Sequence, residues 1–167
     1  VYRNQRASVK AIICVNDEYV TTQVKEAMPK SPTVEILVAV NSLAQKDKPV
    51  AEGFHDWFAE VDKAPAFIRP ECVNVNEDTL LMYFTSGTSG EPKMVAHDHL
   101  YALGHLVTGV FWHNLDDSGI HLTVADTGWG KAVWGKLYGQ WFAGATVFVY
   151  DHEKFSAEKI MRMMEKY

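Results

Sequence analysis

The chain has 167 residues, a length that suits one domain able to bury most of its apolar surface. Hydrophobic residues make up 47% and charged residues 22%, close to globular averages, which excludes an intrinsically disordered chain. The formal net charge is −5 without a run of Lys and Arg, which argues against a nucleic-acid partner, and no apolar stretch approaches the roughly 20 residues that a membrane-spanning helix needs.

Strand-like and helix-like segments alternate from the N-terminus. Apolar runs over 9–15 and 34–40 predict two buried strands. Between them, the amphipathic segment 18–28 predicts a helix, which Pro29 ends because proline cannot continue it. This order of strand, helix and strand is typical of a parallel β-α-β unit.

The next part of the chain predicts a helix, a long connection and a strand. The helix is predicted over 51–63, where four large apolar side chains recur at helical spacing. These side chains are Phe54, Trp57, Phe58 and Val61. The segment 64–78 holds two prolines and is predicted to be a loop, whereas the unbroken apolar run 79–84 predicts a strand covered on both faces.

A helix and a strand are predicted after the following loop. Asp98 is predicted to be the N-cap of a helix over 99–112, because its short carboxylate can accept a hydrogen bond from the first turn. Residues 120–124 alternate apolar and polar side chains and predict a further strand.

The C-terminal part predicts a last helix–strand–helix sequence. A helix over 131–143 is predicted to end at Gly144, a strand is predicted over 145–150, and Ser156 is predicted to cap the final helix. The first of these helices carries a stripe expected to face the core. The stripe is Trp134, Leu137, Tyr138 and Trp141.

The alternation as a whole predicts an α/β fold in which a mainly parallel β-sheet is flanked by helices. Functional loops of such folds lie beyond the carboxyl ends of the strands. The loops that qualify here follow Phe84 and Ala125.

The loop after Phe84 has the composition of a phosphate-binding loop. It reads Thr-Ser-Gly-Thr-Ser-Gly-Glu-Pro-Lys over residues 85–93. Its glycines let the backbone approach a ligand closely, its hydroxyls and N–H groups can donate to phosphate oxygens, and Lys93 adds a mobile positive charge. Pro92 and Met94 stand where a Walker A loop needs Gly and Ser or Thr, so it is not that loop. A surface turn rich in Gly and Ser is the alternative.

Together with residues 83–84, this loop resembles the phosphate-binding loop of the adenylate-forming superfamily, which includes AMP-forming acyl-CoA synthetases, peptide-synthetase adenylation domains and luciferases. A second stretch, residues 125–129 followed by a helix and then 144–147, resembles the medium-chain and acetyl branches of the acyl-CoA synthetases. The segments 94–97 and 155–167 fit the same pattern.

The resemblance implies an enzyme that activates a carboxylic acid in two steps. The carboxylate attacks the α-phosphate of ATP and releases pyrophosphate, and coenzyme A then converts the acyl-adenylate into an acyl-CoA and AMP. ATP, Mg²⁺ and coenzyme A are thereby implied, with a short- or medium-chain carboxylic acid as the substrate. The residues that the resemblance implies for binding the β- and γ-phosphates are Thr85, Ser86, Gly87, Thr88, Ser89, Gly90 and Lys93.

By the same resemblance, the loop after the strand 120–124 forms part of the acyl pocket, made by Gly128, Trp129 and Gly130. Trp129 would be an aromatic wall or gate, and the two glycines would give clearance beside it. The alternative is that Trp129 packs in the core.

Members of this superfamily also use a glutamate that binds Mg²⁺, an aspartate that binds ribose and a lysine in a small C-terminal domain, and none of them can be matched here. Residues 1–167 are therefore expected to be a single fragment of the N-terminal, ATP- and acyl-binding domain, without the C-terminal lid domain, a catalytic residue or a metal ligand. The chain alone is expected to be inactive and to self-associate through surfaces that truncation exposes. The expected location is the cytoplasm, or the mitochondrial matrix in a eukaryote.

The ends and the cysteines of the chain give further expectations. The chain begins without Met and without the form of a signal peptide, which predicts a mature product or a piece of a longer protein. Cys14 and Cys72 lie far apart and form no CxxC pair, which argues against a disulfide framework or a cysteine zinc site.

Other interpretations of the residues stay open. A non-catalytic phosphate- or nucleotide-binding module would use the same loop for ligand capture. His97 and His99 would lie on one face of a strand, as metal ligands do, but no third ligand is spaced to join them. The histidines expected to have no evident partner are His105, His113, His121 and His152.

Overall fold

The computed structural model describes residues 1–71, 73–86, 90–150, 152 and 154–167. The chain divides into two compact units. Unit 1 comprises Val1–Asn74 and Met82–Val95, and unit 2 comprises Val75–Leu81 and Ala96–Tyr167. Both units combine helices with parallel strand pairs, which confirms the predicted α/β class.

Unit 1 is built on a parallel sheet. Its elements in chain order are α1 (Tyr2–Arg6), β1 (Ala11–Val15), α2 (Glu18–Ala27), a 3₁₀ turn (Met28–Lys30), β2 (Ile36–Val40), a second 3₁₀ turn (Leu43–Gln45), β3 (His55–Asp56) and α3 (Trp57–Lys63). β2 lies between β1 and β3 and pairs in parallel with both. The β-α-β unit predicted from the N-terminal alternation is therefore confirmed.

The helix α2 forms where its sequence signals predict. The Asp17 carboxylate accepts a hydrogen bond from the Val20 N–H at 3.1 Å and so caps the helix. Its apolar side packs on the face of β1 that carries Ile12. Cys14 lies on this same face and is paired with the fully buried Ala39, and burial raises the pKa of the Cys14 thiol.

The opposite face of this sheet is apolar and exposed. The register places Ile13 beside Val38 and Val15 beside Val40, so these side chains share one face with Ile36. Ile13 and Val15 are 57% and 59% exposed. Parallel sheets ordinarily have both faces covered, so this face is an apolar surface that the rest of unit 1 leaves open.

The prediction of a helix over 51–63 is correct only for its second half, where α3 spans Trp57–Lys63. α3 begins at Trp57, where the Asp56 carboxylate caps it by accepting from the Ala59 N–H at 3.0 Å. Gly53 has φ +85°, a conformation that ends any helical run before it. Phe54 is buried beside the strand β3, and the helical spacing of the four apolar residues is therefore broken.

β4 (Thr79–Thr85) and β5 (Lys93–Asp98) pair with each other. β4 is found where predicted, but the expectation that both of its faces are covered is wrong, because all of its residues are at least partly exposed and Met82 is 47% exposed. β5 was not predicted as a strand, because its apolar part is short and its partner lies across the loop. In the described part of the chain the strands fall into separate groups rather than one continuous sheet.

Unit 2 contains helices and a second parallel strand pair. Its elements after β5 are α4 (His99–Val107), a π-helical turn (Thr108–Trp112), β6 (Ile120–Leu122), α5 (Gly130–Ala132), a second π-helical turn (Val133–Tyr138), α6 (Gly139–Phe142), β7 (Thr146–Phe148) and α7 (Ala157–Lys166). β6 pairs in parallel with β7, with Ile120 opposite Thr146 and Leu122 opposite Phe148. These elements confirm the predicted order.

The predicted helix ends of unit 2 are confirmed. The Asp98 carboxylate accepts from the Tyr101 N–H at 2.8 Å, and the Ser156 hydroxyl accepts from the Lys159 N–H at 3.4 Å. Gly144 has φ +78° and ends the helix before β7. Because these signals act within three or four residues, they form independently of the tertiary environment.

The aromatic stripe predicted for the helix over 131–143 is only partly correct. Trp134 is buried, but Trp141 is 59% exposed, whereas Gln140 is fully buried. A π-helical turn has more residues per turn than an α-helix. The turn over Val133–Tyr138 therefore rotates the following residues away from the face that a 3.6-residue period predicts.

The helical segments of unit 2 approach closely at two glycines. A Cβ atom added to Gly109 would overlap the backbone carbonyl of Gly139. Gly139 is itself buried, and its Cα lies near Gly109. The close approach of these two backbones is therefore possible only without a side chain at Gly109.

Replacing Gly109 by alanine should reduce the free energy of unfolding by about 1–3 kcal/mol, because the new methyl group must displace a backbone carbonyl. Urea denaturation measures this change. Gly104→Ala in α4 is the matched control, since nothing lies within 4 Å of its added Cβ and alanine favours a helix interior. Equal stability of the two variants would show that the glycine contact does not constrain the packing.

Candidate functional site

The loop predicted to bind phosphate is carried by β4 and β5. Thr85 is the last residue of β4, and Lys93 is the first residue of β5. Thr85, Ser86 and Lys93 are exposed. The predicted residues Gly87, Thr88 and Ser89 lie outside the described residues.

The described part of the loop contains a glycine with positive φ and a lysine. Gly90 has φ +102°, with no atom within 4 Å of an added Cβ, so glycine is needed there for conformation rather than for space. Among the described residues, the Lys93 ammonium has no carboxylate within salt-bridge distance. A lysine with this freedom can direct its charge to a phosphate oxygen.

Both ends of the loop are contacted by α1, which the sequence did not indicate. The Tyr2 hydroxyl donates a hydrogen bond to the Pro92 carbonyl at 3.1 Å. The Tyr2 ring lies edge-on to the Phe84 ring, and the Arg3 guanidinium lies over the same ring. Since about 90 positions separate these partners in the chain, local sequence patterns carry no signal of the contact.

The second predicted site lies in unit 2 and starts from a tight turn at Asp126. The Asp126 carboxylate accepts from the Gly128 N–H at 2.7 Å, and the Asp126 carbonyl accepts from the Trp129 N–H at 3.1 Å. Trp129 is at the N-cap position of α5 and is 72% exposed in this chain. An exposed indole at the head of a helix is available to contact a ligand.

The glycines beside Trp129 have separate effects. A Cβ atom at Gly128 would lie 2.9 Å from the Asp126 carboxylate, so this glycine leaves room for the turn. A Cβ atom at Gly130 would lie 3.6 Å from the Trp134 ring, an ordinary contact distance. The absence of a side chain at Gly128 therefore leaves space for the Asp126 carboxylate. That this glycine also leaves space beside the Trp129 indole stays a prediction.

Histidine and aromatic rings surround the buried Trp134. The His105 ring is parallel to the Trp134 indole with centroids 5.3 Å apart, and the rings of His97 and Tyr101 lie 5.3 Å and 4.9 Å from the indole. Burial lowers the pKa of His105, and the nearby His97 and His113 lower it further. This cluster therefore favours a neutral imidazole at His105.

A second set of polar residues lies near Gln140. The Gln140 amide donates to the Gly135 carbonyl at 2.6 Å, while its Oε1 atom is buried without a partner among the described residues. His121 Nε2 lies 2.7 Å from Thr123 Oγ1, and burial, followed by the charges of His113 and Lys136, lowers the pKa of His121.

The four histidines for which the sequence shows no evident partner each have a polar neighbour within the chain, as structural histidines do. His105 Nδ1 lies 3.0 Å from the Thr108 hydroxyl, His113 Nδ1 lies 3.5 Å from the Gln140 amide, and His152 Nδ1 lies 3.4 Å from the Tyr150 carbonyl. The contact of His121 with Thr123 is the fourth. Three of these partners lie only two or three residues away, so the missed signal was the local pairing of histidine with hydroxyl or carbonyl groups.

Unit 2 has a cavity of about 540 Å³ between the β6–β7 pair and α7. It is lined by apolar side chains together with His121, and Trp129 is not part of its wall. Its lining residues are Ile120, His121, Leu122, Val124, Phe148, Ile160, Met163, Met164 and Tyr167. The residues predicted for the acyl pocket and this cavity are therefore different parts of unit 2.

Two further properties bear on the chemistry. The described residues contain no cluster of three or more His, Cys, Asp or Glu side chains that would hold a metal ion. Helices in the described ranges are either too short or too polar to span a membrane.

Comparison with known proteins places these features in context. A family model described as "AMP-binding enzyme" matches residues 1–167. The chain is 39% identical over 98 residues to human acyl-coenzyme A synthetase ACSM3, mitochondrial. This alignment covers 58% of the chain and 17% of the relative. It is 32% identical over 167 residues to mouse acyl-coenzyme A synthetase ACSM5, mitochondrial, which covers 98% of the chain and 27% of the relative.

The fold also matches solved structures. The crystal structure of the anthranilate CoA ligase AuaEII in complex with anthranoyl-AMP superimposes with a TM-score of 0.83 at 18% identity, covering 99% of this chain and 30% of that chain. An acetoacetyl-CoA synthetase from Streptomyces lividans matches with a TM-score of 0.67 at 22% identity, covering 90% and 24%. The chain thus spans less than a third of the length of these relatives and structures.

Acidification should destabilise unit 2 through His121. The pKa of His121 is lower in the folded state than in the unfolded state, so the unfolded state binds more protons at acidic pH. The free energy of unfolding therefore falls as the pH drops below about 6.5, the ordinary pKa of histidine in an unfolded chain. Urea denaturation between pH 7.5 and 5.5 should show this loss, and His121→Gln should reduce it. His55→Gln, at a side chain 60% exposed in unit 1, is the control. An identical pH dependence in the wild type and His121→Gln would contradict the assignment.

Proposed function

The chain belongs to the AMP-binding enzyme family, and from this premise we propose that it supplies part of the large N-terminal domain of an AMP-forming carboxylate–CoA ligase. The relatives named as acyl-coenzyme A synthetases and the structures named as CoA ligases support this activity. The observation that carries the proposal is the loop 85–93, with its glycines, hydroxyls and terminal lysine at the end of a strand.

The proposed reaction begins when a carboxylate oxygen attacks the α-phosphorus of ATP. The bond to the bridging oxygen breaks, and pyrophosphate leaves with the electron pair, so negative charge accumulates on the departing group. The loop's role is to bind the β- and γ-phosphates and to stabilise this charge with donors that are already in place. Thr85, Ser86, Gly90 and Lys93 are the described residues proposed for this role, and Gly87, Thr88 and Ser89 complete it.

The second step is the transfer of the acyl group to coenzyme A. The thiol sulfur attacks the carbonyl carbon of the acyl-adenylate, AMP leaves, and the thiol proton passes to solvent or a base. We propose that Trp129, with Gly128 and Gly130, forms part of the wall that the acyl group contacts. The exposure of the indole at the head of α5 supports this role.

The substrate is proposed to be a short- or medium-chain carboxylic acid, because residues 125–129 and 144–147 resemble the medium-chain and acetyl branches and the named relatives are acyl-coenzyme A synthetases. ATP and coenzyme A are the other substrates, and Mg²⁺ would neutralise the phosphate charge when bound. The described residues contain no cluster of three or more His, Cys, Asp or Glu side chains that would hold this ion.

The position of the chain within the enzyme and in the cell completes the proposal. Residues 1–167, which span 27% of the ACSM5 relative, are proposed to lie within the N-terminal domain, because the loop 85–93 resembles the phosphate-binding loop of that domain. Both named relatives are described as mitochondrial, which supports a mitochondrial location if the source is a eukaryote, with the matrix as the proposed compartment. In another organism the proposed location is the cytoplasm.

Loss of the loop lysine should weaken polyphosphate binding. We expect Lys93→Ala to raise the Kd of the chain for tripolyphosphate by about tenfold, because a charge-assisted hydrogen bond is lost. Isothermal titration calorimetry measures the Kd. Lys46→Ala, an exposed lysine of the same unit, is the matched control and should leave the Kd unchanged. Binding that is equally strong in the wild type and Lys93→Ala would remove the phosphate role of the loop.

The acyl role of Trp129 has a separate test. Addition of octanoate should change the tryptophan fluorescence of the wild-type chain, and Trp129→Phe should abolish that change because the reporting indole is gone. Trp112→Phe, at an indole 82% exposed in the same unit, should retain it. Tripolyphosphate binding without any response to octanoate would instead favour the non-catalytic phosphate-binding module.

A further inference from the structure

We propose that Tyr2 is a positioning residue for the phosphate loop, holding the residues at which the loop leaves β4 and enters β5. Arg3 assists it at the first of these points. The inference rests on the proposed function, because it assigns to α1 a role in the same loop. All the residues concerned belong to unit 1.

The entry of the loop is held through Phe84, which directly precedes Thr85. The Tyr2 and Phe84 rings have centroids 6.2 Å apart and an interplanar angle of 71°, an edge-to-face geometry that is favourable for aromatic pairs. The Arg3 guanidinium carbon lies 5.7 Å from the Phe84 centroid, within the range of a cation–π contact. Phe84 is therefore held by two neighbouring side chains of α1.

The exit of the loop is held through the Pro92 carbonyl. This oxygen accepts the Tyr2 hydroxyl at 3.1 Å. The carbonyl of Pro92 and the N–H of Lys93 belong to one planar peptide unit, and the proline ring fixes its own φ. A hydrogen bond to this oxygen therefore fixes the plane from which Lys93 extends its side chain.

α1 can act as a support because it is itself attached to the body of unit 1. The Asn4 amide donates to the Ser31 hydroxyl at 3.0 Å, and the Gln5 amide donates to the Lys30 carbonyl at 2.7 Å. Ser31 is buried, and its hydroxyl donates to the Ala27 carbonyl at the end of α2. The position of Tyr2 is thereby set by α2 and the 3₁₀ turn that follows it.

The consequence for binding is a lower ordering cost. Binding groups that are already held in place lose less conformational entropy when they contact a polyphosphate, and this applies to Thr85 and Lys93, which follow the held residues Phe84 and Pro92. A single tyrosine that contacts both ends also links their positions. Removing its hydroxyl should therefore weaken polyphosphate binding even though that hydroxyl touches no phosphate.

The decisive variant is Tyr2→Phe, which keeps the ring against Phe84 and changes no charge. We expect the Kd for tripolyphosphate, measured by calorimetry and expressed per folded protein, to rise about two- to tenfold with the melting temperature unchanged. Tyr2→Leu, which also loses the ring contact, should raise it further. Tyr19→Phe, at an exposed tyrosine of α2, is the matched control and should leave the Kd at the wild-type value.

The outcomes separate this inference from the proposed function. If Lys93→Ala weakens binding while Tyr2→Phe does not, the loop binds phosphate and the positioning role is wrong. If Tyr2→Phe lowers the melting temperature while the folded fraction binds with the wild-type Kd, Tyr2 is merely structural and the inference is again overturned. If the wild-type chain does not bind tripolyphosphate, both the proposed function and the inference fail.

Discussion

The pairing of β4 with β5 is the constraint on which the candidate phosphate site depends. It brings Thr85 and Lys93 to the two ends of one loop, so the hydroxyls and the lysine need not be gathered from distant parts of the chain. Backbone hydrogen bonds between strands are satisfied whatever the side chains are. The side chains of the loop are therefore not needed for strand pairing and can bind a ligand. Among the described residues of the loop, Gly90 is the one with a positive φ.

Unit 2 obeys a different constraint, which is close backbone packing. The contact of Gly109 with Gly139 lies within helical segments that also contain π-helical turns. The wider turn over Val133–Tyr138 turns Gln140 inward and Trp141 outward. The same helical segment begins at the exposed Trp129 and contains Gly139. The indole proposed to contact the acyl group is therefore carried by a segment whose backbone packs closely against Gly109.

What the sequence predicted correctly was local. Asp98, Gly144 and Ser156 mark helix ends because each acts on backbone groups a few residues away. The helix start at Asp56 was missed because a spacing of apolar residues outweighed a capping signal. The exposure of β4, and the contacts of Tyr2 with residues about 90 positions away, depend on tertiary structure and leave no local pattern.

Cys14 has a practical consequence that follows from its place in unit 1. Its half-buried side chain shares the face of β1 that carries Ile12, and burial raises the pKa of the thiol. Since alkylating reagents attack the thiolate, Cys14 should be labelled more slowly in the folded chain than in the opened chain, where the thiol is fully exposed. The labelled fraction of Cys14, followed over time by mass spectrometry, can therefore report how often unit 1 opens.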